Sequence, residues 1–143
     1  MEAINKGLRP VYRTNESPHL PTMISIITRT QCARIGINEI EMVEQIGRVL
    51  HLITADRDYS LYENIENIAG AFKGRCFFRP LNSIIINFDC VRDMDDSFIR
   101  FYSGKSTTLG KNAFGKTRAE FRKYLEAIPE YVYTNDSLKV AEK

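Results

Sequence analysis

Gly110-Lys111-Asn112-Ala113-Phe114-Gly115-Lys116-Thr117 spells G-x-x-x-x-G-K-[ST]. In a phosphate-binding loop such glycines let backbone N–H groups wrap phosphates, the lysine reaches their charge and the hydroxyl holds magnesium. Ile84-Ile85-Ile86-Asn87-Phe88-Asp89 even resembles the apolar strand and aspartate that would complete the site. The context does not follow. The motif should succeed a buried strand, yet Ser106-Thr107-Thr108 is polar, and the aspartate strand lies upstream. Too little chain follows Thr117 for the parallel sheet and crossover helices that bury such a site. We therefore reject the NTPase reading. The two histidines, His19 and His51, suggest no Cys–His or Ser–His–Asp arrangement. Cys32, Cys76 and Cys90 match no zinc spacing or disulfide framework and are expected to be buried, reduced thiols. The carboxylates show no metal-loop spacing. The expectation is a protein that is not an enzyme and carries neither metal nor cofactor.

Other residues suit a different chemistry. Arg and Lys pair with guanine edges and Asn with adenine. Arg48 follows Glu44-Gln45-Ile46-Gly47, Asn82 stands in Phe77-Phe78-Arg79-Pro80-Leu81-Asn82-Ser83, and Lys111 follows Leu109-Gly110. Each is expected on a connection rather than in a helix, so loops projecting from a sheet would do the reading. Charge is uneven around them. The overall balance is +2, but from Phe98 to Lys123 the bases Arg100, Lys105, Lys111, Lys116, Arg118, Arg122 and Lys123 face Glu120 alone. From Glu39 to Glu66 the acids Glu39, Glu41, Glu44, Asp56, Asp58, Glu63 and Glu66 face only Arg48 and Arg57. One basic third in a near-neutral chain has the electrostatic footprint of a phosphate-binding face.

The elements that must hold these residues are short. The 143 residues make about one domain. A hydrophobic fraction of 43% with 27% charged residues rules out a disordered chain. No apolar run approaches the ~18–20 residues that span a bilayer, the N-terminus lacks a signal-peptide core, and a cytoplasmic location is expected. Residues 1–21, with Pro10, Pro18 and Pro21, read as a flexible arm or linker. β-Branched, partly alternating runs predict strands over 23–28, 31–37, 40–46, 49–54 and 59–62. Ile65, Ile68, Ala69 and Phe72 predict a short helix over 64–72. Ile84-Ile85-Ile86 should be core, and 98–102 with 105–109 should form a hairpin. A last helix from about 113 to 128 should turn Phe121, Tyr124, Leu125 and Ile128 inward and stop at Pro129, leaving 130–143 as a tail.

In order and spacing, these pieces resemble the LytTR family, the LytR/AgrA-type DNA-binding domain of bacterial transcriptional regulators. The resemblance rests on Ile40 to Glu44, on Tyr59-Ser60-Leu61-Tyr62 leading into Ile65–Phe72, on Phe77-Phe78-Arg79…Asn82-Ser83…Ile86-Asn87, and on Gly104…Leu109-Gly110-Lys111. It implies a mainly β domain over 22–129, of several small antiparallel sheets with two short helices. It implies sequence-specific binding of double-stranded DNA by loops in successive major grooves, with direct-repeat sites and a second copy on the DNA among the expected partners. Arg48, Asn82 and Lys111 fall at base-contacting positions, Lys111 where Arg is usual. Arg79 and Ser83 would contact phosphates, joined by Lys105 and Lys116 of the basic third. The sequence departs from the family at Pro80-Leu81, where His commonly fills the second place, and at Ile84, which replaces an aromatic.

The alternative is a module of the same fold that holds a regulatory protein partner without base readout. Pro80-Leu81 is the feature that supports it. Single-stranded RNA binding would need exposed aromatics on a sheet, but Tyr59 and Tyr62 lie in the acidic region.

Overall fold

A computed structural model of the chain describes residues 22–74, 76–128, 131–135 and 138–140. The expected arm over 1–21, Arg75 and Pro129 lie outside them. The described residues open with an antiparallel hairpin, β1 (Met23–Ile27) and β2 (Cys32–Gly36). Five strands then build the central antiparallel sheet: β3 (Ile40–Ile46), β4 (Val49–Thr54), β5 (Asp58–Tyr62), β6 (Phe77–Leu81) and β7 (Ile84–Asn87), in the order β5-β4-β3-β7-β6. A three-stranded meander follows, β8 (Val91–Asp95), β9 (Phe98–Phe101) and β10 (Ser106–Thr108). It leads into helix α1 (Lys111–Ala127). Within the expected tail, β11 (Tyr131–Tyr133) pairs with β12 (Leu138–Val140). The architecture is the expected mainly β assembly of several antiparallel sheets. No helix among the described residues is long and apolar enough to cross a membrane.

The central sheet is covered on both faces, and strand alternation divides its side chains between two cores. On one face Val43, Leu50, Leu52 and Ile85 pack with Ile24, Ile26 and Ile35 of the first hairpin and with Ile65, Ile68 and Phe72. On the other, Met42, Ile84 and Ile86 pack with Phe88, Val91, Ile99, Phe101, Leu109 and Phe121. This is why Ile84-Ile85-Ile86 is continuously apolar: β7 is buried on both sides. Asn87 ends the run, fully buried. Its amide donates to the Ile40 carbonyl at 3.0 Å and accepts from Asp89 N at 2.9 Å, tying β7 to the start of β3.

Several expectations change in detail. The helix expected over 64–72 is two 3-10 turns, Ile65–Asn67 and Ala69–Phe72. The Asn64 side chain caps the first by accepting from Glu66 N at 2.9 Å, and so short a segment cannot repay the cost of α nucleation. Its apolar residues still point into the core. Strand β8 is largely polar, and no run of β-branched residues marks it in the sequence. It is held by cross-strand charge, Arg100 Nη1 donating to Asp93 at 2.9 Å and Asp95 at 2.8 Å. In α1, Phe121 is buried and Tyr124 half-buried, with its hydroxyl donating to Asp89, but Leu125 lies on the exposed side. The cysteines are free thiols, yet burial fails for two of them. Cys32 and Cys76 are exposed and only Cys90 is partly covered. Cys32 stands beside the turn that closes its hairpin, opposite Ile27, which is exposed too.

The phosphate-loop letters lie across the first turns of α1. Phe114 N donates to the Gly110 carbonyl at 2.8 Å, so that N–H serves the helix. The Thr117 hydroxyl is fully buried and donates to the Ala113 carbonyl at 2.7 Å. From Phe114 onward the backbone amides of this segment belong to the helix rather than to a loop that wraps a phosphate.

Candidate nucleic-acid interface

Two tight turns project side by side from one end of the central sheet. Ile46 pairs with Val49, which leaves Gly47-Arg48 as a two-residue turn. Gly47 has φ +60°, while Arg48 stays outside the left-handed region. That is the type II′ arrangement, with glycine at the first central position. Leu81 pairs with Ile84, which leaves Asn82-Ser83 as the second turn. It closes on β6, an edge strand whose register shifts between Phe78 and Leu81. Pro80 is tolerated there because an edge bulge asks for no N–H. Pairing of Glu44 with Ile84 sets β3 against β7, and Gln45 N donates to the Ser83 carbonyl at 2.8 Å. The two turns therefore share one rim.

Gln45 organises that rim. Its Nε2 donates to the Gly47 carbonyl at 3.1 Å and to the Glu63 carbonyl at 2.9 Å. Its Oε1 accepts from Ile65 N at 2.7 Å. One side chain thus fixes the Arg48 turn against the 3-10 turn behind it. Arg79 does the same for the second turn. Nε and Nη2 both donate to the Asn82 carbonyl, at 3.1 and 2.6 Å. Nη1 and Nη2 reach Glu66 at 3.4 and 2.6 Å. The guanidinium hydrogen bonds and charge hold the Glu66 carboxyl below its usual 4.5. The result is a shallow, open cleft of about 500 Å³ lined by Gln45, Gly47 and Arg48, by residues 63–66, and by Asn82 and Ser83.

The expected site residues fall into groups. Arg48, Asn82 and Ser83 come together at the cleft. Arg79 lies beside it, with its donors directed at Asn82 and Glu66. Lys111 is not on a hairpin connection as expected. It is the first residue of α1, because Gly110 takes the N-cap position and starts the helix early. Lys111 and Lys116 are exposed and form no ion pair with a described residue. Five residues apart at about 100° per residue, they project from different sides of α1. Lys105 is elsewhere. Its Nζ donates to the Thr54 carbonyl at 2.5 Å and to Asp58 at 3.0 Å, linking the meander to the β4–β5 turn. That turn is at the opposite end of the sheet from Arg48, about 20 Å away along β3. The residues missed by sequence reasoning are Gln45 and Glu66. Each is a polar residue on a solvated-looking stretch, and its role exists only once distant segments meet.

The LytTr DNA-binding domain family matches residues 31–125. No curated protein matches the sequence. Among solved structures, the chain is similar to the LytTr DNA-binding domain of a protein described as a methyl-accepting/DNA response regulator from Bacillus cereus. The TM-score is 0.58 at 8% identity, covering 71% of this chain and 96% of that one. The two turns, their shared rim and the sheet that carries them thus lie within the matched span, and the chain belongs to the LytTr family of DNA-binding domains.

Proposed function

We propose that this protein is a transcriptional regulator that reads double-stranded DNA through the Arg48 and Asn82 turns, inserted together into a major groove. The observation that carries the reading is the hydrogen bond from Gln45 N to the Ser83 carbonyl. It carries the β3–β7 pairing up to the two hairpin tips and joins them in one edge, with a guanidinium and an amide exposed there. These groups suit guanine and adenine edges, and each good bidentate pair contributes about 1–3 kcal/mol of discrimination. Ser83 supplies a hydroxyl beside them. Lys111 and Lys116, exposed on α1, supply charge to the flanking backbone, and Lys111 is kept in this proposal as a third base reader. Arg79 and Lys105 serve the scaffold in this arrangement, and their charge is already engaged.

The test is selection of bound duplexes from a random pool, followed by titration of selected and scrambled duplexes at several salt concentrations. An enriched motif, with Asn82→Ala flattening preference at one base pair and leaving the salt slope unchanged, supports the reading. If no motif is enriched, or Asn82→Ala weakens both duplexes equally, direct readout by this turn is wrong.

A further inference from the structure

Each reading turn is preceded by a branched aliphatic side chain left in solvent. Ile46, just before Gly47-Arg48, is 57% exposed, and Leu81, just before Asn82-Ser83, is 44% exposed. Single exposed apolar residues are ordinary on a protein surface. Here two of them stand at equivalent places, each closing the strand pair beneath its turn, Ile46 against Val49 and Leu81 against Ile84. Pairing of Glu44 with Ile84, and of Ile84 with Leu81, puts Leu81 on the face of the sheet that Glu44 occupies. Ile46, two residues beyond Glu44, shares that face by strand alternation. The two side chains thus mark the uncovered end of the face whose middle is buried against the meander and α1.

We infer that Leu81 and Ile46 are specificity-determining residues that contact thymine C5-methyl groups next to the bases read by Asn82 and Arg48. The inference rests on the DNA-reading function proposed above. Its geometry is local. Leu81 and Asn82 have adjacent Cα atoms, ~3.8 Å apart, and the major groove is about 12 Å wide and 8.5 Å deep. An entry that carries the Asn82 amide to base edges carries Leu81 between the same groove walls. The apolar group offered there by the four bases is the thymine methyl. An A·T pair presents adenine N6 and N7 to the amide and the thymine methyl beside them. Ile46 stands in the same relation to Arg48 across Gly47. A leucine cannot hydrogen-bond a phosphate or a base, so its exposure at this point fits a methyl and little else in the groove.

The experiment replaces each thymidine of the selected duplex, one at a time, with deoxyuridine. Watson–Crick pairing is kept and only the methyl is lost. One buried methyl corresponds to about a four-fold loss of affinity. The expected result is such a loss at one position near each reading turn. Leu81→Ala abolishes the response at one position and Ile46→Ala at the other, while Leu81→Met retains it. If the duplex is bound selectively but no thymine position responds, or the response survives both alanine variants, the methyl reading is overturned while DNA reading stands. If the variants alter self-association or capture of a protein and leave the uridine response unchanged, the pair belongs to a protein contact and the inference is wrong. If no duplex is preferred at all, it is the parent reading that fails.

Discussion

Replacing Arg79 by alanine separates positioning from phosphate holding. Its guanidinium makes four hydrogen bonds within the protein: two to the Asn82 carbonyl and two to Glu66. A cation so engaged has little left for a phosphate, so its removal should hardly change the number of counterions released. Each phosphate contact adds about −0.9 to the slope of log K on log[salt]; Arg79→Ala is expected to move that slope by much less than one such step. The loss should fall on readout instead. Without the clamp the Asn82 turn loses its fixed carbonyl, and the ~1–3 kcal/mol carried by a bidentate amide is dispersed. That is about 5- to 150-fold weaker binding to the selected duplex and almost none to a scrambled one. Arg79→Lys keeps the charge but not the fork, and should not restore discrimination. Titration of both duplexes across a salt series measures all of this. A slope shallower by about one contact, with equal loss on both duplexes and rescue by lysine, would refute the clamp and return Arg79 to the phosphate backbone. The clamp also sets a pH window. Glu66 is held below its usual 4.5 in the folded protein by Arg79, so the pair is fully formed above that value and is lost as pH falls through the depressed one. Discrimination should be constant between about pH 5.5 and 8 as far as this pair is concerned.

Gln45→Ala should disturb the rim at once, since it removes the hydrogen bonds to the Gly47 and Glu63 carbonyls and from Ile65 N. Urea unfolding should show a loss of about 1–3 kcal/mol, and binding should lose preference at the Arg48 position; unchanged stability would sink the bracing role. Lys105→Ala should lower stability by about 1 kcal/mol and leave the DNA salt slope alone, because its ammonium is turned to Thr54 and Asp58. A shallower slope would make Lys105 a phosphate contact after all. Burial, with Glu41 and Asp89 nearby, pushes the Cys90 thiol up to about 11. In native protein at pH 8, alkylation followed by mass should find Cys90 reacting on the order of 100-fold more slowly than an ordinary thiol; labelling as fast as an ordinary thiol would contradict its covered setting.

Strand runs such as Ile40–Ile46 and Val49–Thr54 were legible because alternation and β-branching report a pleated, half-buried surface directly. The turns were legible for a similar reason: Gly47 supplies the positive φ that its connection needs, and Asn82-Ser83 are residues that turns favour. Beyond these, the sequence stopped short where charge does structural work. Val91 to Asp95 reads as a loop until Arg100 is set across from Asp93 and Asp95. Lys105 reads as a phosphate ligand because it stands in the basic third, and Arg79 because the family resemblance puts it there; the carboxylates and carbonyls to which each donates lie far off in sequence or on the backbone, where the sequence does not show them. The start of α1 was placed too late because Gly110 carries no capping side chain to announce it. Arg48 and Asn82 could be named from sequence, but their meeting could not, for it depends on β3 pairing with β7.

That pairing also governs when the reading edge comes into being. The β3–β4 and β6–β7 hairpins each close over two residues and belong to the microsecond class of events. Bringing β3 to β7 closes a far longer loop, whose entropy must be met before its contacts form. A chain with both hairpins made but β3 and β7 apart has its arginine and its asparagine correctly presented on two separate tips, and no common edge. On the proposed reading, DNA recognition is therefore a late product of folding. A substitution in the core beneath the edge, at Val43 or Ile85, should slow its appearance without touching a single reading residue.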